Sequence, residues 1–214
     1  MEELENNSTE QSTIKNLPKS FFGDLKQMLK LFLMEPVSGT YALFEEKKDR
    51  LITSAILVGV TISLYLFLPL FTVGRYIGIG DALLLGIKID VLLIVFLSFV
   101  AGATFGLKFI SDKPDVKKEA FTAGMLSLPL IFFFLLMATS VLFGNASSSI
   151  IRGNLSGGGL FMMVVMLYML FMMINIVMQS LRASKSKDVL AWYVAPAIIL
   201  SAFYVTSKIA AVIL

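Results

Sequence analysis

The chain has 214 residues, of which 57% are hydrophobic and 15% are charged, and its formal net charge is +3. A soluble domain is typically about a quarter charged, so this apolar surplus is too large for one compact core and must partly face lipid. The sequence contains no His and no Cys, which excludes thiol catalysis, Ser-His-Asp triads and the usual zinc sites.

Residues 1–20 are polar and acidic, which predicts a disordered cytoplasmic tail and no cleaved signal peptide. The cytoplasmic segment 21–50 begins with an amphipathic helix, 21–34, that is capped by Ser20, stopped by Pro36 and too short to span a membrane. Its apolar face carries Phe21, Phe22, Leu25, Met28, Leu29, Phe32 and Leu33, and its opposite face carries Asp24, Lys26, Gln27 and Lys30. This pattern favours a helix in the membrane interface, and the alternative is a structural helix packed beneath the bundle. The charge run from Glu45 to Arg50 is interpreted as a solvated face at the start of the first span.

Residues 51–214 are predicted to form an all-α membrane domain of five transmembrane helices, because a span needs about 20 mainly apolar residues. The predicted spans are Leu51–Val73, Lys88–Leu107, Ala120–Phe143, Leu160–Leu181 and Val189–Lys208. The apolar segment Ile79–Ile87 either extends the second span or lies along the interface.

Lys and Arg predict the orientation of the bundle, because cytoplasmic loops are enriched in them. The segments before the first span, between the second and third, and between the fourth and fifth must share one side of the membrane. They hold 14 of the 18 basic residues, namely Lys15, Lys19, Lys26, Lys30, Lys47, Lys48, Arg50, Lys108, Lys113, Lys117, Lys118, Arg182, Lys185 and Lys187. We call this side the basic end, and we expect it to be cytoplasmic, with the C-terminus outside.

Two patterns concern helix packing. Ser98, Gly102 and Gly106 form a ridge of small residues in the second span, which we interpret as an internal packing surface rather than a dimer interface. A polar stripe in the fourth span is expected to face protein, because buried amides need partners. The stripe consists of Tyr168, Asn175, Gln179 and Arg182. The seven methionines of the same span are interpreted as lipid-facing filler.

Polar residues near the expected centre of the bundle are uncharged, which argues against an ion-coupled pump or a proton relay. They are Thr61, Ser63, Ser98, Tyr168 and Ser201, at the level of Pro129 in the third span. They form either a shallow polar pocket or, as we favour, hydroxyls bonded to their own helices or to neighbouring ones. Lys88 and Asp90 are placed at the outer end of the second span, and Glu119 is interpreted as one of several solvated charges at the basic end.

The layout resembles the prokaryotic type of the Ypt-interacting protein (Yip) family. The residues behind the resemblance are Pro36, the segment Ala123–Pro129 and the segment Trp192–Tyr204, and the similar region covers residues 30–214. The resemblance implies five spans after a cytoplasmic segment, in a prokaryotic cell membrane. Eukaryotic members carry an Asp-Leu-Tyr-Gly-Pro stretch that this chain lacks, so Rab binding and Golgi traffic are not carried over.

Two function classes remain. The first is a non-enzymatic binding, scaffolding or membrane-organising protein whose partners are membrane lipids and a possible membrane protein or second copy of the chain. The alternative is a small transporter or lipid-handling protein that uses a weakly polar midplane pocket. Neither class calls for a cofactor, a metal or a nucleic acid, since no phosphate-cradling motif or basic aromatic stretch is present.

Overall fold

The computed structural model describes residues 21–46, 50–111, 115–142, 157–184 and 188–214. The predicted tail 1–20, the predicted cap Ser20 and part of each long connection lie outside the described residues. Helix α1 covers residues 21–34 and ends just before Pro36, as predicted. The helices that follow are α2 (Ser38–Glu45), α3 (Leu51–Thr72), α4 (Gly74–Ile77), α5 (Ile79–Ser111), α6 (Val116–Leu142), α7 (Gly157–Ala183) and α8 (Asp188–Ile213).

The chain is an all-α, multi-pass membrane protein, as its composition predicts. Five helices, α3 and α5 to α8, are long and apolar enough to cross a membrane. The start of α3 lies beside the start of α6, and the end of α5 lies beside the start of α6 and the end of α7, as the contacts of Ser54 with Gly124 and of Lys108 with Glu119 and Ser180 show. These spans therefore alternate in direction, and these helix ends form the basic end. The described residues carry no β-strand.

Helix α5 is longer than the predicted second span, because the apolar segment before it continues the same helix. It has 33 residues, which corresponds to a length of about 50 Å. Gly78 precedes it with a φ of 88°, a backbone conformation that glycine adopts without strain, and this lets the chain turn between α4 and α5. Lys88 and Asp90 both lie inside this helix, and Asp90 is buried. Their placement at the outer end of the span stays a prediction.

Two glycines allow close approaches between helices. A Cβ atom at Gly86 of α5 would overlap the carbonyl oxygen of Leu66 in α3, and one at Gly124 of α6 would lie 2.6 Å from the Cβ of Ser54 in α3. Helix α3 therefore packs directly against both α5 and α6. Helix α7 packs against α6, α8 and α2, and α8 completes the bundle against α5.

The interior contains more methionine than the sequence interpretation allowed. Met169, Met172, Met173 and Met178 of α7 are buried, so their assignment as lipid-facing filler is wrong. The interpretation holds for Met163 and Met166, which are exposed. The difference arises because the second half of α7 is enclosed by its neighbours, whereas much of its first half lies on the surface.

Candidate functional site

The polar residues predicted near mid-depth do not converge on one pocket. Thr61 is buried and donates a hydrogen bond to the carbonyl of Leu57 at 2.8 Å. Ser63 is exposed and donates to the carbonyl of Gly59 in its own helix. Ser98 and Ser201 face outward. The favoured interpretation, hydroxyls bonded to their own backbones, is confirmed for Thr61 and Ser63.

Pro129 lies on the buried face of α6, where it meets α3. The hydroxyl of Tyr65 in α3 donates to the carbonyl of the next residue, Leu130, at 3.0 Å. The ring of Tyr65 also packs against Phe134, with the ring centroids 5.9 Å apart. The polar contact at this level therefore comes from Tyr65, a residue that the sequence interpretation did not select.

The ridge of small residues in α5 does not pack against any other helix that the structure describes. Ser98, Gly102 and Gly106 are all exposed, and a Cβ atom at either glycine would meet nothing within 4 Å among the described residues. The prediction of internal packing is therefore wrong. The physical reason is that α3 and α6 contact α5 on another side, where Gly86 and Thr104 are buried.

The polar stripe of α7 is confirmed in its second half and wrong at its first member. Tyr168 is exposed, because the first half of α7 lies on the surface. Gln179 is fully buried and donates to the Oδ1 of Asn175 at 3.0 Å, and Asn175 donates to the carbonyl of Pro36 at 2.5 Å. Arg182 donates to the Oε1 of Gln179 at 3.3 Å. This row of side chains, which we call the amide chain, joins α7 to the connection between α1 and α2.

A buried ion pair lies beside the amide chain. The ammonium of Lys108 in α5 lies 2.6 Å from one carboxylate oxygen of Glu119 in α6 and donates to the hydroxyl of Ser180 in α7 at 2.9 Å. Thr104 donates to the other carboxylate oxygen at 2.5 Å, and Thr122 shares a hydrogen bond of 2.8 Å with Ser180. We call these five residues the polar cluster. The interpretation of Glu119 as a solvated charge is wrong.

The positions of Lys108 and Glu119 in the sequence predict this ion pair, although a hydropathy profile does not reveal it. The sequence between α5 and α6 is short, and Lys108 and Glu119 lie equally far in sequence from its midpoint, between positions 113 and 114. In a tight helical hairpin such positions face each other, so opposite charges there predict a pair. Burial of the pair, however, also requires α7 to cover it with Ser180.

Arg50 joins the first three helices at the basic end. Its guanidinium donates to the carbonyl of Leu43 at 3.0 Å, to Gln27 at 3.4 Å and to the carboxylate of Glu46, and it lies 5.5 Å from the centre of the Phe121 ring. Arg50 is buried, so its assignment to a solvated face is wrong. Most of the charge run between Glu46 and Arg50 lies outside the described residues.

Helix α1 has two different apolar surfaces. Met28 and Phe32 are buried against the bundle, together with Asp24, which accepts a hydrogen bond from Thr53 at 3.4 Å. The placement of Asp24 on the free polar face is therefore wrong. Phe22, Leu29 and Leu33 also belong to the predicted apolar face, but they lie along its other edge and are exposed, Phe22 at 66% and Leu33 at 61%. We call Phe22, Leu29 and Leu33 the free apolar strip.

A groove lies in the half of the bundle away from the basic end. Its volume is about 590 Å³, and α3, α6, α7 and α8 all contribute to its lining. Tyr65, Met169 and Met173 are buried at its floor, whereas Leu200 and Phe203 of α8 line it with exposures of 56% and 44%. Sequence reasoning did not find this groove, because its lining is apolar and resembles any membrane-facing surface.

The remaining charged groups of the described residues do not meet the needs of a metal site. Among them, no group of three or more acidic side chains is close enough to hold a metal ion. The charged groups of the polar cluster are used in hydrogen bonds that join three helices. The carboxylate of Asp90 is buried in α5, and its Oδ1 has no hydrogen-bond partner among the described residues.

No protein-family model, no curated protein and no solved structure matches the chain.

Proposed function

We propose that the chain is a non-enzymatic membrane protein of the Yip-like type that binds and organises the lipid leaflet at its basic end. The observation that carries the proposal is the division of α1 into two apolar surfaces. One surface, with Met28 and Phe32, holds the helix against the bundle, and the other, the free apolar strip, is left exposed. A five-span bundle preceded by a helix of this kind also supports the Yip-like architecture.

The order of side chains around α1 fits a helix lying in the plane of a membrane interface. The buried surface comes first, then the free apolar strip, and then Lys26 and Lys30, which are both exposed. Large apolar side chains gain about 1.5–3 kcal/mol each on full burial, and a Lys near an anionic surface adds about 1 kcal/mol. Inserting the strip into one leaflet only would change lipid packing at that end of the protein.

The basic end is assigned to the cytoplasm, and the C-terminus to the outside, in a prokaryotic cell membrane. Support comes from the 14 to 4 division of basic residues between the two sides. Anionic lipid in the cytoplasmic leaflet would then meet the lysines of α1.

The position of α1 is tested by single-cysteine labelling of the full chain, because the chain has no Cys of its own. Nitroxide labels are placed at Phe22→Cys, Leu33→Cys and Lys30→Cys in protein reconstituted into anionic vesicles, with Met28→Cys as the buried control. We expect the first two labels to be accessible to oxygen in the hydrocarbon and the Lys30 label to a water-soluble nickel chelate. Equal access of the chelate to all three exposed positions would contradict an interfacial helix.

The effect on the leaflet needs a matched pair of variants. The first variant removes the free apolar strip by the three substitutions Phe22→Ser, Leu29→Ser and Leu33→Ser. The second variant removes three exposed apolar side chains at the opposite end, by Tyr76→Ser, Ile77→Ser and Ile79→Ser. A packing-sensitive probe in phosphatidylcholine vesicles with phosphatidylserine should respond to the unmodified protein and the second variant, and not to the first. If the first variant still alters packing, the strip is not the active surface.

The alternative of a transporter with a weakly polar midplane pocket has less support. Such a pocket needs polar side chains that point to a common space. Thr61 is bonded to its own helix, and Ser98 and Ser201 point away from the interior.

A further inference from the structure

The apolar groove has a lining that selects for hydrocarbon. Among the described residues that line it, the one hydroxyl, on Tyr65, already donates to the carbonyl of Leu130, and the other side chains offer only carbon and sulfur. A headgroup or an ion entering the groove would find no free polar side chain among these residues. Met169 and Met173 at its floor are flexible and polarisable, so they adapt to ligands of irregular shape.

The groove lies on the membrane-crossing part of the bundle, so membrane lipids can reach it. All its lining residues belong to helices that cross the membrane. Leu200 and Phe203 are half exposed, so the groove opens on the outer surface of the bundle, where the solvent is lipid rather than water. The part of α7 that contributes is its first half and middle, Met163 to Met173, away from the basic end.

The size of the groove favours a thin occupant. The groove offers about 590 Å³, which is within the range of small-ligand pockets. Its described lining is apolar, so a hydrocarbon chain matches both the size and the chemistry of this space.

We propose that this groove binds one acyl chain of a membrane phospholipid, from the leaflet opposite the basic end, with the headgroup left at the membrane surface. The chain lies against Met169 and Met173 and is held between α7 and α8. This site is separate from α1 and does not depend on the function proposed for it.

Photolabelling of the full chain tests the proposal. The probe is phosphatidylcholine with a diazirine on one acyl chain, mixed with the protein in vesicles, irradiated and mapped by mass spectrometry of the digested protein. We expect labelled residues to be concentrated at Met169, Met173 and Leu200, above the level on the exposed faces of α3 and α5. Leu170→Trp fills the groove and should reduce labelling there to that level, whereas Val164→Trp, exposed on α7 outside the groove, should not.

Thermal unfolding in detergent shows whether Leu170→Trp folds. If it does not fold, a second variant that also fills the groove, Phe203→Trp, replaces it in the labelling experiment. Uniform labelling over all exposed helix faces would overturn the proposal. So would groove labelling that disappears as the protein concentration rises while cross-linked dimers appear, because a second copy would then be the occupant. Neither result would bear on α1, whose test uses labels at the other end of the molecule.

Discussion

Lys108 and Glu119 show how a membrane protein keeps full charges inside its structure. Removing an ion from water is costly, and the attraction between the partners offsets this cost only where further hydrogen bonds complete the geometry. Thr104 and Ser180 supply those bonds, at 2.5 Å to the carboxylate and 2.9 Å from the ammonium. The pair therefore holds the α5–α6 hairpin against α7.

Removing one charge of this pair should destabilise the protein more than removing both. A single Lys108→Met or Glu119→Met substitution leaves a buried charge without its partner and should cost about 3–5 kcal/mol. The double variant should unfold much closer to the unmodified protein in a thermal denaturation series in detergent. Lys26→Met, at an exposed site, is the control. Single variants that unfold at the unmodified temperature would show that the charges are solvated.

The glycines provide a second prediction, because the same Gly→Ala substitution should lower the stability of the protein at two positions and raise it at two others. Gly86→Ala and Gly124→Ala place a methyl group against α3 and should cost about 1–3 kcal/mol through overpacking. Gly102→Ala and Gly106→Ala point into open space and should stabilise the helix by about 0.5–1 kcal/mol. Denaturation of the four variants in the same detergent measures both effects. A loss of stability in the second pair would indicate that the ridge is packed.

At the scale of the element, the surroundings of α7 change along its length. The second half of α7 is enclosed, and its amide chain reaches the connection that carries α1. The first half of α7 lies on the surface and forms a side of the groove. The same helix therefore holds α1 in place at one end and faces lipid at the other.

The amide chain should contribute measurably to the docking of α1 and α2. Asn175→Leu removes the donor to the Pro36 carbonyl and the acceptor for Gln179, and should cost about 1 kcal/mol. The matched change Tyr168→Leu, at an exposed position of the same helix, should have little effect on stability. Limited proteolysis within residues 21–46, together with thermal unfolding, separates local release of α1 from global loss. Equal rates of proteolysis and equal unfolding temperatures for the two variants would contradict the contact between Asn175 and the carbonyl of Pro36.

At the scale of the whole molecule, the five candidate spans make a prediction about topology, because an odd number of crossings would place the start of α3 and the end of α8 on opposite sides of the membrane. Reporter fusions at Lys117, Asn154, Lys185 and Leu214 should therefore read inside, outside, inside and outside, because basic loops stay in the cytoplasm. Neighbouring spans alternate, so an inverted bundle would reverse all four readings. Reversal of only the last two readings, at Lys185 and Leu214, would show that the fourth span does not cross.

The number of spans and the apolar character of α1 could be determined from the sequence alone. Both are local properties, since hydropathy over about 20 residues predicts a span and spacing within one helix predicts its faces. The tertiary structure alone decided that Arg50 and Glu119 are buried, that Gly102 is exposed and that Tyr168 lies on the surface. Each of these depends on which neighbouring helix approaches and how closely, and that is set by contacts between residues far apart in the chain, such as Gly124 with Ser54 and Lys108 with Ser180.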